Sequence, residues 1–301
     1  YLAHLYNMKL IIPLLNEWPE FGGIDQYLRW AGVEFPELPE GHCAREAIIK
    51  SFRDQFWTNM EAQELYFNYV EYVLNRVNVY TGLAYKDDPA IMIWEIMNEP
   101  RFGPWAGDPT GGMVVRDFLA EAASFIKSID PNHLVSAGEE GFLKREDVST
   151  FHNTYPWTCA TGEGLDWVAN AQIPDIDVLS IHAWPFQWAL WGTSERDITE
   201  DEAGEYPDLS TFIPEWIAEH QRLADEIGKP LYLGEFGFQI LRIPGSDVPD
   251  RDRIMEAAYD YAATTDIDGM VYWDISLPRS GGGGLQRAPA APEPPAVLVF
   301  G

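Results

Sequence analysis

The stretch that decides the fold is Ile91-Met92-Ile93-Trp94-Glu95-Ile96-Met97-Asn98-Glu99-Pro100-Arg101. Its first seven residues are apolar apart from one glutamate, and they do not alternate with polar residues. This pattern is typical of a strand that is buried on both faces of a parallel sheet. The strand then breaks into a polar turn at Asn98, and Glu99 follows directly. Parallel barrels carry their catalytic groups at the C-terminal ends of strands, so Glu99 is the first candidate functional residue.

A second glutamate, Glu235, stands in the same kind of place within Leu231-Tyr232-Leu233-Gly234-Glu235-Phe236-Gly237. Two such carboxylates are what a retaining glycosidase needs, because one protonates the leaving oxygen and the other attacks the anomeric carbon. We expect Glu99 to be the general acid and base, with a pKa raised by an apolar site and by the charge of Glu235. Glu235 is expected to be the nucleophile, kept ionised by hydrogen-bond donors, with the two carboxyl groups about 5–5.5 Å apart.

Strand-like and helix-like segments alternate along the chain. The short runs that are apolar nearly throughout are Lys9–Leu15, Ile91–Met97, His133–Ala137, Val178–His182, Leu231–Gly234 and Met270–Trp273. Between them, three segments place apolar residues on one face at the 3.6-residue period of a helix. These apolar positions are Tyr66, Val70, Val73, Leu74 and Val77, then Phe118, Ala122, Phe125, Ile126 and Ile129, then Ile213, Trp216, Ile217, His220, Leu223, Ala224 and Ile227.

This alternation predicts a parallel α/β fold, and polar residues just after the strands favour a (β/α)8 TIM barrel with its site at the C-terminal face. Only six strands can be found, so we expect residues 1–278 to form a partial barrel that lacks the first two βα units. The alternative is a six-stranded doubly wound sheet. Residues 279–301, with four glycines and then a proline–alanine stretch, are expected to be a disordered tail or an artefact.

The composition excludes several classes of partner. A formal net charge of −28 repels nucleic acid and anionic membranes. We expect no membrane span, because no stretch of about eighteen uncharged apolar residues exists. The six histidines are scattered without ligand spacing, so no metal site is expected. Cys43 and Cys159 could form a disulfide or remain free thiols, and the sequence leaves both open.

Sequence blocks in a fixed order carry a family resemblance. They are Lys9–Asn16, Trp18, Phe21-Gly22-Gly23, Asn75-Arg76-Val77-Asn78, Thr81-Gly82, Tyr85-Lys86-Asp87-Asp88-Pro89, Asn98-Glu99-Pro100-Arg101, Glu140-Gly141-Phe142, Gly164-Leu165-Asp166-Trp167, Ile176-Asp177, Ile181–Pro185, Gly234–Gly237 and Tyr272-Trp273. Over about residues 5 to 276, the chain resembles glycoside hydrolase family 5, and within it the endo-β-1,4-mannanases. The Asn-Glu-Pro block is shared by many barrel glycosidases, whereas the blocks between residues 75 and 89 are more particular to mannanase-like members.

The resemblance implies roles for residues around the two glutamates. Asn98 is expected to hydrogen-bond the sugar 2-hydroxyl, and His182 to hydrogen-bond around the carboxylates. Trp184 departs from the family pattern, which has a tyrosine whose hydroxyl contacts the nucleophile; indole offers only an N–H donor. Trp273 is expected to form the sugar platform at the cleaved residue.

Other residues are weaker candidates, and each has a structural alternative. Trp18, Trp188 and Trp191 are either sugar platforms or packing residues, and Glu140 or its neighbour Glu139 is a candidate sugar contact. Arg101 either binds sugar or pairs with a nearby carboxylate, and Glu95 is expected to be a buried, paired structural acid. The family also places an arginine on its second strand near the nucleophile, and no arginine of this chain can be matched to it.

The function that the resemblance implies is retaining hydrolysis of internal β-1,4 bonds in mannan, galactomannan or glucomannan. The alternatives are a β-1,4-glucanase of the same fold and a non-catalytic carbohydrate-binding barrel. A doubly wound nucleotide-binding protein would need a glycine-rich phosphate loop after a strand, which this chain lacks. We expect no cofactor, a polysaccharide as the partner, a monomer, and secretion, because the polymer cannot enter cells.

Overall fold

The structure is a computed structural model that describes residues 1–38, 42–103, 112–144, 165–184, 211–237 and 248–273. The side chains of residues 42–44, 46 and 248–250 are not described. The predicted tail, Cys159, Trp188 and Trp191 lie outside the described residues, as does the side chain of Cys43.

All six predicted strands are present and pair in parallel. They are β1 (Leu10–Pro13), β2 (Ile91–Glu95), β3 (Leu134–Ser136), β4 (Leu179–Ala183), β5 (Leu231–Phe236) and β6 (Gly269–Tyr272). They form two sheets whose strands follow chain order, β1-β2-β3 and β4-β5-β6. Backbone bonds join the two sheets: the Asp177 N–H donates to the Val135 carbonyl, and the His182 N–H donates to the Glu140 carbonyl, each at 2.9 Å. A doubly wound sheet reverses its strand order, so that alternative is wrong and the strands follow the order of a barrel wall.

Helices separate the strands. They are α1 (Leu2–Leu5), α2 (Gly23–Trp30), α3 (His42–Arg53), α4 (Met60–Asn75), α5 (Met113–Ile129), α6 (Trp167–Ala171), α7 (Phe212–Ile227) and α8 (Val248–Ala262), with short 3-10 turns at Glu20–Gly22, Asp54–Thr58 and Tyr85–Asp87. Side-chain caps begin two of them: Asn59 accepts from the Ala62 N–H at α4, and Asp166 accepts from the Ala169 N–H at α6. None of the helices among the described residues is long and apolar enough to cross a membrane.

The three predicted helical stripes are the buried faces of α4, α5 and α7, with one exception. Tyr66, Val70 and Leu74 of α4 are fully buried. Val77, however, lies beyond the end of α4 and is 57% exposed, because the chain leaves the helix after Asn75 and forms a bridge from Val77 to Ala84. The predicted stripe is therefore too long at its C-terminal end.

The apolar core has two layers. The larger one lies between the strands and the surrounding helices. The smaller one lies inside the strand wall, where Ile11, Ile93, Tyr232 and Val271 come together from β1, β2, β5 and β6. Tyr232 also donates its hydroxyl to Glu95 Oε2 at 2.8 Å across this interior. Glu95 is thus the buried, paired acid that the sequence predicts, and the six strands curve around one common interior.

Candidate active site

The turn after β2 presents Glu99 by tying its backbone to both neighbouring strands. The Asn98 N–H donates to the Leu15 carbonyl beyond β1, and the Glu99 N–H donates to the Gly138 carbonyl beyond β3, each at 2.9 Å. Glu99 has a φ of +52°, a left-handed conformation that is costly for a residue with a side chain. The two backbone bonds hold that conformation and so fix where the carboxylate leaves the strand end.

Both oxygens of Glu99 accept hydrogen bonds. His182 Nδ1 lies 2.7 Å from Oε1, and the Trp18 indole N–H donates to Oε2 at 2.6 Å. Burial of Glu99 raises its pKa, but the hydrogen bond and charge of His182, the Arg101 charge and the Trp18 bond together outweigh burial and leave the pKa lowered. The surroundings therefore favour the ionised form of Glu99.

Glu235 reaches the same place through a bulge in β5. Ile181 pairs with Leu233 and His182 pairs with Glu235, so Gly234 is left unpaired and Glu235 stands opposite His182. A Cβ on Gly234 would lie 3.1 Å from His182 Nε2, which leaves little room for any other residue at the bulge. The bulge thus turns the Glu235 carboxylate toward β4 and Glu99.

The carboxylate of Glu235 has weaker hydrogen-bonding partners than that of Glu99. Trp184 donates its indole N–H to Glu235 Oε2 at 3.2 Å, and His182 Nδ1 lies 3.7 Å from the same oxygen. Burial raises the pKa of Glu235 to about 8, with the His182 charge lowering it and the charges of Glu99 and Glu95 raising it. The neutral acid is therefore the favoured form of Glu235 near pH 7.

The protonation order of the two glutamates is a correction to the sequence analysis, which predicts a raised pKa for Glu99 and an ionised Glu235. The reason is the distribution of donors, because Glu99 holds two short bonds and Glu235 one longer bond. The family resemblance implies an arginine near the nucleophile. Within the described ranges, no arginine is among the groups that chiefly set the Glu235 pKa.

The His182 side chain lies between the two glutamates and is 1% exposed. Burial lowers its pKa, but the charges of Glu235, Glu99 and Glu95 and the bond to Glu99 raise it to about 10. One atom each from Glu99, His182 and Glu235 lies within 4.8 Å of the other two, a spacing that could also hold a metal ion. A protonated imidazole repels a cation, so the cluster as it stands suits proton transfer between two carboxylates better.

The short distance between the two carboxylates has a chemical meaning. Retaining glycosidases hold their carboxyl groups about 5–5.5 Å apart, whereas inverting ones leave about 6.5–9.5 Å for a water molecule. The nearest oxygens of Glu99 and Glu235 lie within 4.8 Å. This separation is too short for the intervening water of an inverting enzyme.

The aromatic residues predicted from the resemblance lie around this pair. Trp184 follows β4 and contacts Glu235, so indole supplies the donor that a tyrosine hydroxyl supplies in the family pattern. Trp273 follows β6 and is 45% exposed, with its backbone N–H donating to the Phe236 carbonyl at 3.0 Å. Gly237 lies against both, since a Cβ there would be 2.7 Å from the Trp273 carbonyl oxygen and 2.9 Å from the Trp184 ring. The role of Trp273 as a sugar platform stays a prediction.

Two predicted sugar contacts, Arg101 and Glu140, are paired with each other. Arg101 donates Nε and one terminal nitrogen to the two carboxylate oxygens of Glu140, each at 2.7 Å. Both side chains are buried, at 4% and 1% exposure. The structure thus shows Arg101 and Glu140 as a buried ion pair, and their roles toward the sugar stay predictions. Asn98 donates to Asn16 Oδ1 at 3.1 Å, and its role toward the sugar stays a prediction.

Two residues of the site differ from the sequence predictions: Trp18 has a contact that the sequence did not indicate, and Gly138 was not predicted at all. The resemblance makes Trp18 a candidate sugar platform, yet its indole N–H bonds the carboxylate of Glu99. The direction of a side chain in a strand-end loop cannot be inferred from sequence periodicity. Gly138 was missed, although a lone glycine just beyond a predicted strand could have marked a turn of this kind.

The fold and the site together define a parallel-strand barrel wall with a close carboxylate pair at its C-terminal end. The family model described as GH family 5 beta-mannosidase-like matches residues 2–275. The chain therefore belongs to the β-mannosidase-like members of glycoside hydrolase family 5.

Individual relatives agree with this family. The chain is 35% identical over 288 residues to Mannan endo-1,4-beta-mannosidase 1 of Arabidopsis thaliana, covering 93% of this chain and 62% of that protein. Among solved structures, it is similar to an endo-1,4-beta-D-mannanase from Thermotoga petrophila RKU-1 (30% identity, TM-score 0.69, 90% of this chain and 65% of that one). An endo-1,4-beta-mannanase from Rhizomucor miehei is similar as well (28% identity, TM-score 0.70, 92% of this chain and 66% of that one). The chain thus spans somewhat less than two thirds of the length of these relatives.

Proposed function

We propose that the chain is the catalytic part of a retaining endo-glycosidase that hydrolyses internal β-1,4-mannosidic bonds of mannan, galactomannan or glucomannan. The observation that carries the proposal is the approach of Glu99 and Glu235 to within 4.8 Å at the C-terminal ends of two barrel strands. The names of the similar proteins support mannan as the substrate, since they are mannan endo-1,4-β-mannosidases and endo-mannanases.

The reaction is a double displacement. Glu235 attacks the anomeric carbon while Glu99 gives its proton to the glycosidic oxygen, so the bond to the leaving sugar breaks and a glycosyl ester of Glu235 forms. Glu99, now a carboxylate, takes a proton from water, and the water oxygen attacks the same carbon. The ester bond breaks, Glu235 is released, and the product keeps its β configuration.

The first displacement needs the proton on Glu99 and the negative charge on Glu235. The free site favours the reverse arrangement, because the pKa of Glu99 is lowered and that of Glu235 is raised to about 8. Positive charge developing at the anomeric carbon stabilises the Glu235 carboxylate and draws the proton away from it. His182 Nδ1 lies 2.7 Å from Glu99 and 3.7 Å from Glu235, so it is the group through which that proton moves.

The surrounding residues bind the sugar in this proposal. Asn98 donates to the 2-hydroxyl, Trp184 donates to the nucleophile, and the half-exposed Trp273 ring stacks on the sugar at the cleaved bond. The protein needs no cofactor for this chemistry. It acts as a monomer outside the cell, where its polymeric substrate is found.

The experiment that tests the proposal compares reducing-sugar release from galactomannan with release from carboxymethyl-cellulose, the rival substrate. The chain is assayed beside Glu235→Ala and beside the control Glu256→Gln, which changes an exposed glutamate on α8. We expect release from galactomannan, loss of release in Glu235→Ala by at least about a thousandfold, and no change in the control.

Other outcomes would overturn parts of the proposal. Preference for carboxymethyl-cellulose would move the substrate to β-glucan and leave the mechanism in place. Binding of galactomannan without release by folded protein, unchanged in Glu235→Ala, would support a non-catalytic carbohydrate-binding barrel instead.

A further inference from the structure

We propose that Trp18 is a positioning residue for Glu99 rather than a sugar platform, and that the buried Arg53–Asp25 pair holds its ring in place. This inference rests on the proposed function and deepens it, because it assigns which Glu99 oxygen carries the proton. It is drawn from the contacts of Trp18 and from buried ion pairs that the proposed reaction does not otherwise use.

The bond from Trp18 to Glu99 is the first step of the argument. The indole N–H donates to Glu99 Oε2 at 2.6 Å, and Trp18 is partly buried. An indole nitrogen can only donate a hydrogen bond. The Glu99 oxygen that it contacts must therefore accept the bond with a lone pair. This bond stabilises negative charge on Oε2, so in this proposal Oε1, on the side of His182, is the oxygen that takes up and delivers the proton.

The ring of Trp18 is held by two guanidinium groups. The Cζ of Arg101 lies 5.1 Å from a Trp18 ring centroid, and the Cζ of Arg53 lies 5.4 Å from it. Both distances are within the range of cation–π attraction. A planar guanidinium that is itself fixed by a carboxylate limits how far the ring can turn.

Each guanidinium is fixed by a buried carboxylate. Arg53, at the end of α3, donates Nε to Asp25 Oδ1 at 2.8 Å, and its terminal nitrogen lies 3.4 Å from Oδ2. The two side chains are 9% and 11% exposed. Arg101 is held in the same way by Glu140. Breaking either pair would leave a buried charge without its partner, so these arginines cannot readily leave the ring.

The backbone of Trp18 is fixed as well. Its N–H donates to Asn16 Oδ1 at 3.2 Å, and the chain folds back so closely that a Cβ on Gly23 would lie 1.8 Å from the Trp18 carbonyl oxygen. Gly23 has a φ of +40°, where a residue with a side chain is strained. Ring and backbone together aim the N–H at Glu99, which is the property of a positioning residue.

Charged groups face Glu99 from the strand ends packed against it. They are Arg101 on its own turn, Glu95 on β2, Glu140 beyond β3, His182 on β4 and Glu235 on β5. None of these groups is changed by removal of the Trp18 N–H. A substitution of Trp18 therefore alters one donor to Glu99 and leaves its charged neighbours in place.

The first test reads the bond directly and needs no catalysis. The chain has twelve tryptophans, few enough for their indole N–H signals to be resolved by NMR of the 15N-labelled protein, and Trp18→Phe identifies the Trp18 signal by its loss. We expect the Trp18 signal to lie downfield, to move as Glu99 takes up a proton on acidification, and to move upfield in Glu99→Gln. A Trp18 signal unaffected by both acidification and Glu99→Gln would contradict the proposal.

The second test separates positioning from sugar stacking. Trp18→Phe keeps an aromatic ring but loses the donor, so the Glu99 pKa rises and the acidic limb of the kcat/KM profile, which the lower pKa of the pair sets, moves upward by about one pH unit. We expect kcat to fall roughly tenfold while KM stays within about twofold. A sugar platform predicts the opposite, namely an unchanged pH profile and kcat with the aromatic face retained.

The third test addresses the Arg53–Asp25 pair. The double variant Asp25→Asn/Arg53→Gln removes both charges and keeps hydrogen-bonding groups, so it avoids an unpaired buried charge. We expect it to shift or broaden the Trp18 indole signal and to move the acidic limb in the same direction as Trp18→Phe, whereas the single variant Arg53→Lys keeps part of the wild-type behaviour. The control is Arg29→Met, which removes an exposed arginine over the Phe35 ring and should change neither readout.

The outcomes distinguish this inference from the proposed function. A folded double variant whose Trp18 signal stays at its wild-type position would overturn the role of Arg53 and Asp25. A chain that hydrolyses neither polysaccharide, yet shows the Trp18 signal responding to Glu99→Gln, would overturn the proposed function and support the Trp18–Glu99 contact.

Discussion

Glu99, His182 and Glu235 form a unit in which the number of donors, rather than burial alone, decides where protons reside. Glu99 and His182 are buried and Glu235 is largely so, and burial disfavours the charged form of each. Glu99 nevertheless favours ionisation because two short hydrogen bonds reach it, whereas Glu235 receives one at 3.2 Å. Any residue that adds or removes a donor at Glu235 should therefore change the pH at which the site works.

Trp184 gives a direct prediction on this point. Trp184→Phe removes the indole donor, so the pKa of Glu235 rises further and the basic limb of kcat/KM, which the higher pKa of the pair sets, moves upward by roughly half to one pH unit. Trp184→Tyr is the matched control, since a phenol hydroxyl can replace the lost donor and should keep the limb near its original position. Hydrolysis rates across about pH 4 to 9 check this, and identical profiles for all three proteins would contradict it.

Glu139 gives a prediction about stability. It is buried, its Oε1 accepts from Asn170 Nδ2 at 2.8 Å, and burial raises its pKa to about 8 from 4.5. Between these two pKa values the folded protein holds the proton while the unfolded chain has lost it. The stability from Glu139 is therefore fully present below pH 4.5 and is lost as the pH rises toward 8.

Glu139→Gln imitates the neutral acid, so it should remove this part of the pH dependence. We expect the free energy of unfolding of the variant, relative to that of the wild type, to increase by a few kcal/mol as the pH rises from about 5 to about 8.5. Urea unfolding at the two pH values measures the difference, with the exposed Glu256→Gln as control. A wild type and variant that change in parallel with pH would contradict the role of Glu139.

At the residue scale, the sequence predicts which groups meet but not how they share protons. Glu99, His182 and Glu235 can be found from the sequence, because each stands at the end of an apolar run that predicts a strand. The protonation order depends on distances of a few tenths of an ångström among four side chains, including Trp18. No periodicity or spacing in the sequence contains that information.

The strand ends are the elements that position the site, and the close approach of the segments that follow β2 and β3 depends on a glycine. Gly138 has a φ of +83°, and a Cβ there would lie 1.9 Å from the Met97 carbonyl oxygen. Its own carbonyl accepts from the Glu99 N–H. The end of β2 and the turn that carries Glu99 therefore pack directly against the backbone of Gly138, where a side chain would not fit.

Gly138→Ala should destabilise the protein by about 3 kcal/mol or more, because backbone atoms rather than a flexible side chain must move. Gly228→Ala is the control: Gly228 ends α7 with a φ of +80°, and a Cβ there would meet no described atom within 4 Å beyond its own helix and chain neighbours. Gly228→Ala should therefore lower the free energy of unfolding by only about 1–2 kcal/mol, through backbone strain alone. Chemical denaturation of both variants measures the difference. Equal losses would show that crowding at Gly138 is not important.

At the element scale, the sequence is most reliable where a run of apolar residues is long. All six strands are predicted within a few residues, because strands buried on both faces leave a continuous apolar signal. The prediction for the end of α4 is wrong because Val77 continues the helical spacing after the chain has left the helix. The bulge at Gly234 could not be predicted, since it depends on how β4 and β5 pair.

The whole molecule carries a formal charge of −28, which opposes its own compaction. Salt shortens the range of this repulsion from about 30 Å at 0.01 M to about 3 Å at 1 M. We therefore expect Tm to rise by about 5 °C between about 10 mM and 1 M NaCl. Thermal unfolding followed by circular dichroism checks this, and a Tm that falls with added NaCl would contradict it.

On the scale of the whole molecule, the chain-order arrangement of the strands distinguishes a barrel wall from a doubly wound sheet, which the sequence alone leaves open. The same arrangement brings Glu99 and Glu235 together from distant segments of the chain. Their close approach is the basis of the proposed retaining mechanism, so stereochemistry is the property that tests that mechanism.

The most direct measurement is 1H NMR of the first anomer released from a β-1,4-manno-oligosaccharide, before mutarotation mixes the products. A pair of carboxylates within 4.8 Å predicts that the β anomer appears first, and that Glu235→Ala releases neither anomer. Appearance of the α anomer first, or release that persists in Glu235→Ala, would contradict the roles of Glu99 and Glu235.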